Sequence, residues 1–362
     1  MSIQSDAMHR SSIGLRVGIA GVVLLALAGC SAAQQPHAMV PAAASTKPER
    51  IVVVISVDGF NPSSINVLGP EATPGFQRLI REGATTLQAR SSYEVTKTLP
   101  NHTGMMTGRR ILGPRGHHVT FNADDGTTLR RSAGHYVTGI FDVAHNRGRS
   151  TALYTSKDKF RFLVRSWDAK HGARDRIGAD NGRDKISRFD LAETDELVDD
   201  ITRRLSNDPD DLSFLHLALP DLAGHEYGWM SPRYLAAVEQ TDAQVARVLD
   251  TISGDAWLSE HAVVVLTADH GGKQGALNHD NPRLKADFRV PFMVWGARIA
   301  AGQGLYRLNP ERTSPGSRRP SYAGTQPIRN IDVAGLAMKL LGLPQVPGGT
   351  IPGMDPLHVH QH

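Results

Sequence analysis

The sequence predicts an α/β fold with a mostly parallel central sheet and helices on both faces. Three observations carry the prediction. Short apolar runs recur along the chain, helical patterns lie between them, and three of the runs end in an acidic residue followed by glycine or imidazole. The 362 residues are 40% hydrophobic and 21% charged, too apolar for a disordered chain and too mixed for a multi-span membrane protein. One large domain or two smaller ones fit this length. The net charge of +4 is spread without a dense basic run, which argues against a dedicated nucleic-acid groove and mildly favours anionic substrates or an anionic membrane surface.

From the N-terminus, Arg10 and Arg16 precede an apolar run, Val17 to Ala28, that ends in Leu27-Ala28-Gly29-Cys30. At about a dozen residues the run falls short of the ~20 needed to span a bilayer as a helix, and it resembles a bacterial lipoprotein signal peptide covering residues 1–29. That resemblance implies a lipid-modified Cys30, membrane attachment through the lipid and, with Ser31 following, the outer membrane of a Gram-negative cell envelope facing the periplasm. Residues 30–49, rich in Ala, Gln, Pro and Ser, read as a flexible tether. The folded domain is expected over 50–350, and 351–362 as a tail.

Within the domain, Ile51–Val57, Leu212–Leu219, Ala262–Thr267 and Pro291–Trp295 have the short apolar character of buried strands. Helical patterns cover Pro74–Glu82, Thr194–Leu205, Pro232–Ile252 and Ile331–Leu341, with Asp, Ser or Thr near several starts. Strands alternating with helices imply parallel crossovers. The stretch 122–188 is polar, irregular and rich in Arg and Asp, and is expected to form a small cap over one sheet edge.

The chemistry sits where strands stop. Ile51–Val57 runs into Asp58-Gly59, the run ending at Pro220 into Asp221-Leu-Ala-Gly-His225, and Val263–Ala268 into Asp269-His270-Gly271. In a parallel sheet the carboxyl ends share one edge, so these distant residues can converge there. Asp and His offer the oxygen and nitrogen donors that suit Zn²⁺. The alternative is that each Asp caps a helix; three carboxylates gathered in one crevice without a cation would be costly.

A further segment reads Lys97-Thr98-Leu99-Pro100-Asn101-His102. Pro100 fits a first helical turn, so Thr98 is expected as the N-cap, its hydroxyl at the positive end of the helix dipole. Together with Asp58-Gly59, Asp221-x3-His225 and Asp269-His270-Gly271, the Thr-x-Pro-Asn-His element resembles the type I phosphodiesterase and nucleotide pyrophosphatase branch of the alkaline phosphatase superfamily. The resemblance implies an alkaline-phosphatase-like fold and two divalent metal ions, most aptly Zn²⁺, with a phosphothreonine intermediate on Thr98. It implies Asp58, Asp269, His270 and Thr98 on one metal, and Asp221, His225 and one further histidine on the other. His279 is preferred for that last place over His358 or His360, because the tail reads as mobile. Asn122 resembles the residue that holds a non-bridging phosphoryl oxygen.

The implied activity is hydrolysis of a small nucleotide-like or other phosphate diester. A phosphonate hydrolase, a phosphomonoesterase of the same superfamily and a non-catalytic metal-binding surface lipoprotein stand as alternatives. Tyr136, Phe160, Phe162, Trp167 and Tyr227 are candidates to stack a base or aryl group, or are packing residues.

Overall fold

Why the chain forms a sheet is clearest at its centre. Ile51–Val57 (β1) and Ala262–Thr267 (β6) are buried at every residue. Because alternate residues point to opposite faces, burial of all of them requires both faces of the sheet to be covered. Around them stand Ala84–Arg90 (β2), Thr151–Thr155 (β3), Arg188–Leu191 (β4), Leu212–Leu217 (β5), Arg289–Gly296 (β7) and Gln303–Gly304 (β8), in the order β4-β3-β5-β1-β6-β7-β2-β8. Pairing is parallel from β4 through β6 and between β2 and β8, while β7 runs antiparallel to both of its neighbours. The predicted mostly parallel α/β sheet is the one observed in this computed structural model. It describes residues 49–175, 182–349, 351 and 354–360, so Cys30, the signal peptide and most of the tether lie outside the described residues.

The helices of nine residues or more are Pro74–Glu82 (α1), Thr98–Thr107 (α2), Thr194–Asn207 (α3), Leu219–Tyr227 (α4), Pro232–Gly254 (α5) and Asp332–Leu340 (α6). They gather in two layers: α5 packs against α1, α3 and α4, while α6 packs against α2 and lies on β1 and β6. Contacts between helices also supply caps. Asp242 of α5 accepts the N–H groups of Gly75 (2.9 Å) and Phe76 (2.6 Å), satisfying two donors at the start of α1. Among the described residues no helix is long and apolar enough to cross a membrane.

Two expectations are corrected. The stretch 122–188 is more than a cover over one edge: it supplies β3, which is buried throughout and lies between β4 and β5, and the first residue of β4. The sequence Thr-Ala-Leu-Tyr-Thr is too short and too polar to stand out as an apolar run. The tail is not loose over its described part either. Leu357 and Val359 are buried in the core, and the Val359 carbonyl accepts the Ala300 N–H at 2.9 Å.

The topology determines where chemistry can occur. With β1, β2, β3, β5 and β6 parallel, their carboxyl ends open on one edge, and Asp58, Lys157, Asp221, Asp269 and the segment leading to Thr98 all follow those ends.

Candidate metal centre and nucleophile

Gly59 brings the first two acids together. It adopts φ +68°, and a Cβ there would stand 2.9 Å from the Asp221 Cα, so only glycine allows the end of β1 to abut the start of α4. Its N–H donates to Asp269 Oδ1 at 3.1 Å, and its carbonyl accepts from Trp229 Nε1 and Tyr234 Oη, both at 2.9 Å. One backbone unit thereby ties β1, α4, α5 and the end of β6 around the crevice.

The imidazoles share one arrangement. Each of His225, His270 and His279 places Nδ1 on a backbone carbonyl: Leu277 at 2.9 Å, Gly271 at 2.9 Å and Thr96 at 2.6 Å. This leaves every Nε2 facing the carboxylates. His270 Nε2 lies 3.1 Å from Asp269 Oδ2 and 3.4 Å from Asp58 Oδ1, while His225 and His279 Nε2 lie 3.4 and 3.6 Å from Asp221 Oδ1. Orientation of a ligating imidazole by its other nitrogen is the usual support for a metal site.

The strongest sign of a cation site is what these atoms lack. Asp58 Oδ1, Asp221 Oδ1, Asp269 Oδ2, His270 Nε2 and Thr98 Oγ1 are all buried without a hydrogen-bond partner among the described residues. Buried polar atoms are rarely left unpaired, and the four carboxylate and imidazole atoms gathered here form a donor set that divalent cations would satisfy. The candidate groups resolve into Asp58, Asp269 and His270 on one side, and Asp221, His270 and His279 on the other. His225 adjoins the second group, its Nε2 3.2 Å from that of His279.

Electrostatics point the same way. Burial alone would push the Asp58 carboxyl up, but Lys157, His216 and His270 hold it well below the usual carboxylate range. Burial disfavours a charged His270, yet Asp269, Asp58 and Asp221 override it and raise the ring to about 9. Burial and the neighbouring His270 push His279 down to about 3.

Thr98 departs from its expected place by one position. Lys97, with φ −125° and ψ 154°, is the N-cap of α2, and Thr98 begins the helix. The capping bond comes from elsewhere: Asn122 Oδ1 accepts the Leu99 N–H at 2.9 Å. Since Asn122 takes the task of a cap, the Thr98 hydroxyl is left uncommitted. Asn101, within the same motif, is structural. Its Nδ2 donates to the Val95 and Lys97 carbonyls at 2.8 and 2.9 Å, and its Oδ1 accepts from Ser92 N and from Asn330 Nδ2.

Other groups complete the site, and two of them, Lys157 and His216, belong to no motif. Lys157, just past β3, reaches Asp58 Oδ2 at 2.6 Å and also pairs with Asp221 Oδ2. Both acids thus have an outer oxygen on one ammonium and an inner oxygen facing the imidazoles. His216 on β5 bonds Asp58 Oδ2 at 2.9 Å. His102 is buried between Ser56 Oγ and the Thr98 carbonyl, each 2.8 Å away, and burial lowers it to about 4. His102 is the histidine of the Thr-x-Pro-Asn-His element, whereas a lysine in a loop and a histidine inside an apolar strand offer no spacing signal by which sequence could have found them.

Other expected groups lie elsewhere. His358 N donates to Asn309 Oδ1, and His360 Nδ1 lies on the Arg298 carbonyl beside Arg50, at the opposite end of β1 from Asp58. Of the aromatic candidates, Phe160, Phe162 and Trp167 are fully buried and cannot stack a ligand; Tyr136 is half-buried and donates to Asp142 Oδ1. Tyr227 is 49% exposed.

The sequence model of type I phosphodiesterases/nucleotide pyrophosphatases matches residues 52–324. The chain belongs to the type I phosphodiesterase/nucleotide pyrophosphatase family. This phosphodiesterase-family chain is similar to GPI ethanolamine phosphate transferase 1 of Yarrowia lipolytica, 31% identical over 115 residues, 31% of this chain and 11% of that protein. It is also similar to the 2,3-bisphosphoglycerate-independent phosphoglycerate mutase of Clostridium perfringens, 26% identical over 127 residues, 33% of this chain and 23% of the mutase. The chain therefore spans 11% to 23% of the length of these two curated relatives. Among solved structures it is similar to an inactive variant of murine ectonucleotide pyrophosphatase/phosphodiesterase 5 in complex with AMP. There the TM-score is 0.57 at 16% identity, covering 83% of this chain and 96% of that one, a likeness of fold.

Proposed function

We propose that the protein is a metal-dependent phosphoric ester hydrolase of phosphodiesterase/nucleotide pyrophosphatase type that works through a covalent phosphothreonine on Thr98. The observation that carries this reading is the cluster of unpartnered carboxylate and imidazole atoms of Asp58, Asp221, Asp269 and His270, beside which Thr98 keeps a buried, unpartnered hydroxyl: its carbonyl bonds His102 Nδ1, itself 3.8 Å from Asp269 Oδ2. Asp58, Asp269, His270 and Thr98 would hold one divalent cation and Asp221, His225 and His279 a second. Zinc suits these nitrogen and oxygen donors, and the cations would supply the Lewis acidity that makes a hydroxyl nucleophilic at neutral pH.

The chain's own groups do the rest. Thr98 Oγ1 forms a bond to phosphorus as the bond to the leaving-group oxygen breaks. The hydroxyl proton passes to solvent, and the departing alkoxide takes a proton from water. Water then attacks the phosphothreonine, freeing Thr98 with net retention at phosphorus. Asn122, its Oδ1 already committed to Leu99, offers its amide N–H groups to a non-bridging phosphoryl oxygen. Lys157 adds a fixed positive charge.

Diester or pyrophosphate substrates fit the mouth of the site. Leu222, Tyr227 and Leu277 are 52%, 49% and 55% exposed, and all lie within two residues of Asp221, His225 or His279, where an aryl or base-bearing leaving group would gain apolar contact. A lipid on Cys30 would keep the enzyme at the outer membrane on the periplasmic side. Intact-mass measurement of the envelope protein should find that acylation, and an unacylated mature chain would contradict it.

Assay of bis-p-nitrophenyl phosphate, a nucleotide ester, p-nitrophenyl phosphate and a phosphonate with and without chelator tests the reading. Diester cleavage lost to chelator and restored by zinc is expected. Faster monoester or phosphonate cleavage would reassign the substrate. Chelator-insensitive turnover, or none with zinc present, would overturn the metal hydrolase reading.

A further inference from the structure

Beneath the carboxylates a line of hydrogen bonds crosses three adjacent strands. His216 stands opposite Ser56 in the β1–β5 register, two residues before Asp58. Its Nε2 lies 2.9 Å from Asp58 Oδ2, and its Nδ1 lies 3.1 Å from the hydroxyl of Thr155, the last residue of β3. A carboxylate only accepts, so Nε2 carries the proton. Nδ1 of the neutral ring must then accept, and the Thr155 hydroxyl is the donor. The carboxylate on one side and the hydroxyl on the other fit the neutral ring with its proton on Nε2. Phe160, with its ring centroid 4.6 Å away, and His102, at 4.9 Å, hold the ring in place.

We infer that His216 is a positioning residue for Asp58: Thr155 and His216 pin the outer oxygen, Oδ2, so that the inner oxygen, Oδ1, is aimed at a cation. Resting on the two-cation reading above, this explains why Oδ1 has no partner while lying 3.4 Å from His270 Nε2. Lys157 also holds Oδ2, but it is shared with Asp221. His216 bonds Asp58 and not Asp221, and this asymmetry gives the inference a signature. Loss of its N–H should weaken one of two cation equivalents, whereas a general loosening of the core would weaken both.

The test is zinc titration of the full chain against a chromophoric chelator, resolved by equivalent, for the wild type, His216→Gln, His216→Asn and Thr155→Val. A glutamine amide nitrogen reaches about as far as Nε2, whereas an asparagine amide stops near Nδ1, so the two variants differ mainly in whether a donor meets Asp58. His216→Asn should weaken one equivalent by about 10–100-fold and leave the other unchanged, the loss typical of a missing outer-shell partner. His216→Gln should stay within about threefold of the wild type, with a smaller drop for Thr155→Val in the same equivalent. Wild type that binds no zinc overturns the two-cation reading itself. Wild type that binds two equivalents while His216→Asn matches its affinity, or loses both equally, overturns the role of His216. If His216→Asn fails to fold, Thr155→Val at full wild-type affinity overturns it as well.

Discussion

The two halves of the site are built differently. Asp58, Thr98, Asp269 and His270 are sunk between β1, β6 and the start of α2, none more than 1% exposed. Asp221, His225 and His279 come from α4 and the loop after β6, and the His225 side chain is 46% exposed. The contrast teaches a division of labour. In the proposed reaction the nucleophile would gain from surroundings that cannot rearrange, and Thr98 lies where strand backbones fix its neighbours. A leaving group and an incoming water would need an entrance in that reaction, which the exposed His225 and its apolar rim would offer, although Asp221 and His279 are each only 2% exposed.

Substitutions on either side test this contrast. The largest effect belongs to the buried half: Thr98→Ala should lower kcat by about 10⁴-fold or more while metal analysis still finds two equivalents. Asn122→Ala should cost about 10²–10³-fold in kcat through loss of a phosphoryl donor, and thermal unfolding should register the lost cap as about 1 kcal/mol. In the open half, His225→Asn should reduce turnover by about 10–100-fold in a way that added zinc largely reverses, because an exposed site re-equilibrates with solvent. Failure of zinc to restore His225→Asn would erase the distinction between the halves.

Protonation separates them further. His270 stays protonated up to about 9 between its carboxylates, so a cation entering the buried half must expel a proton. Its affinity should fall by about tenfold for each pH unit below 9, as one proton then competes for the ring. His279, held near 3, is already a free base over that range. Zinc titrations at pH 6, 7 and 8 check the sign; a pH-independent affinity for the buried half would contradict it. The smallest effect is at the rim: Leu222→Ser with Leu277→Ser should raise KM for an aryl diester by about fivefold and leave a methyl diester unchanged.

Much of this was legible in the residues. β1, β6 and α1 read directly from sequence because an unbroken apolar run, or a proline-initiated amphipathic stretch, has one physical solution. β3 did not, since threonines in a buried strand interrupt the hydrophobic signal that interior position would otherwise produce, and β2 is only partly buried from Thr85 to Gln88. At the site, the acids and imidazoles at strand ends declared themselves. Lys157 and His216 were hidden because their roles exist only once β3, β5 and β1 lie side by side. The sequence predicts Thr98 as the N-cap, one position before its observed place in the helix, because no local pattern reveals that a side chain 24 residues onward performs the capping.

The account turns on Thr98 becoming covalently phosphorylated. Turnover of a diester quenched in acid and digested with trypsin should yield the peptide Thr98–Arg109, released by cleavage after Lys97 and carrying phosphate on Thr98 rather than on Thr103 or Thr107. An active enzyme whose quenched peptide carries no phosphate, or carries it on another residue, would contradict the nucleophile and the site built around it.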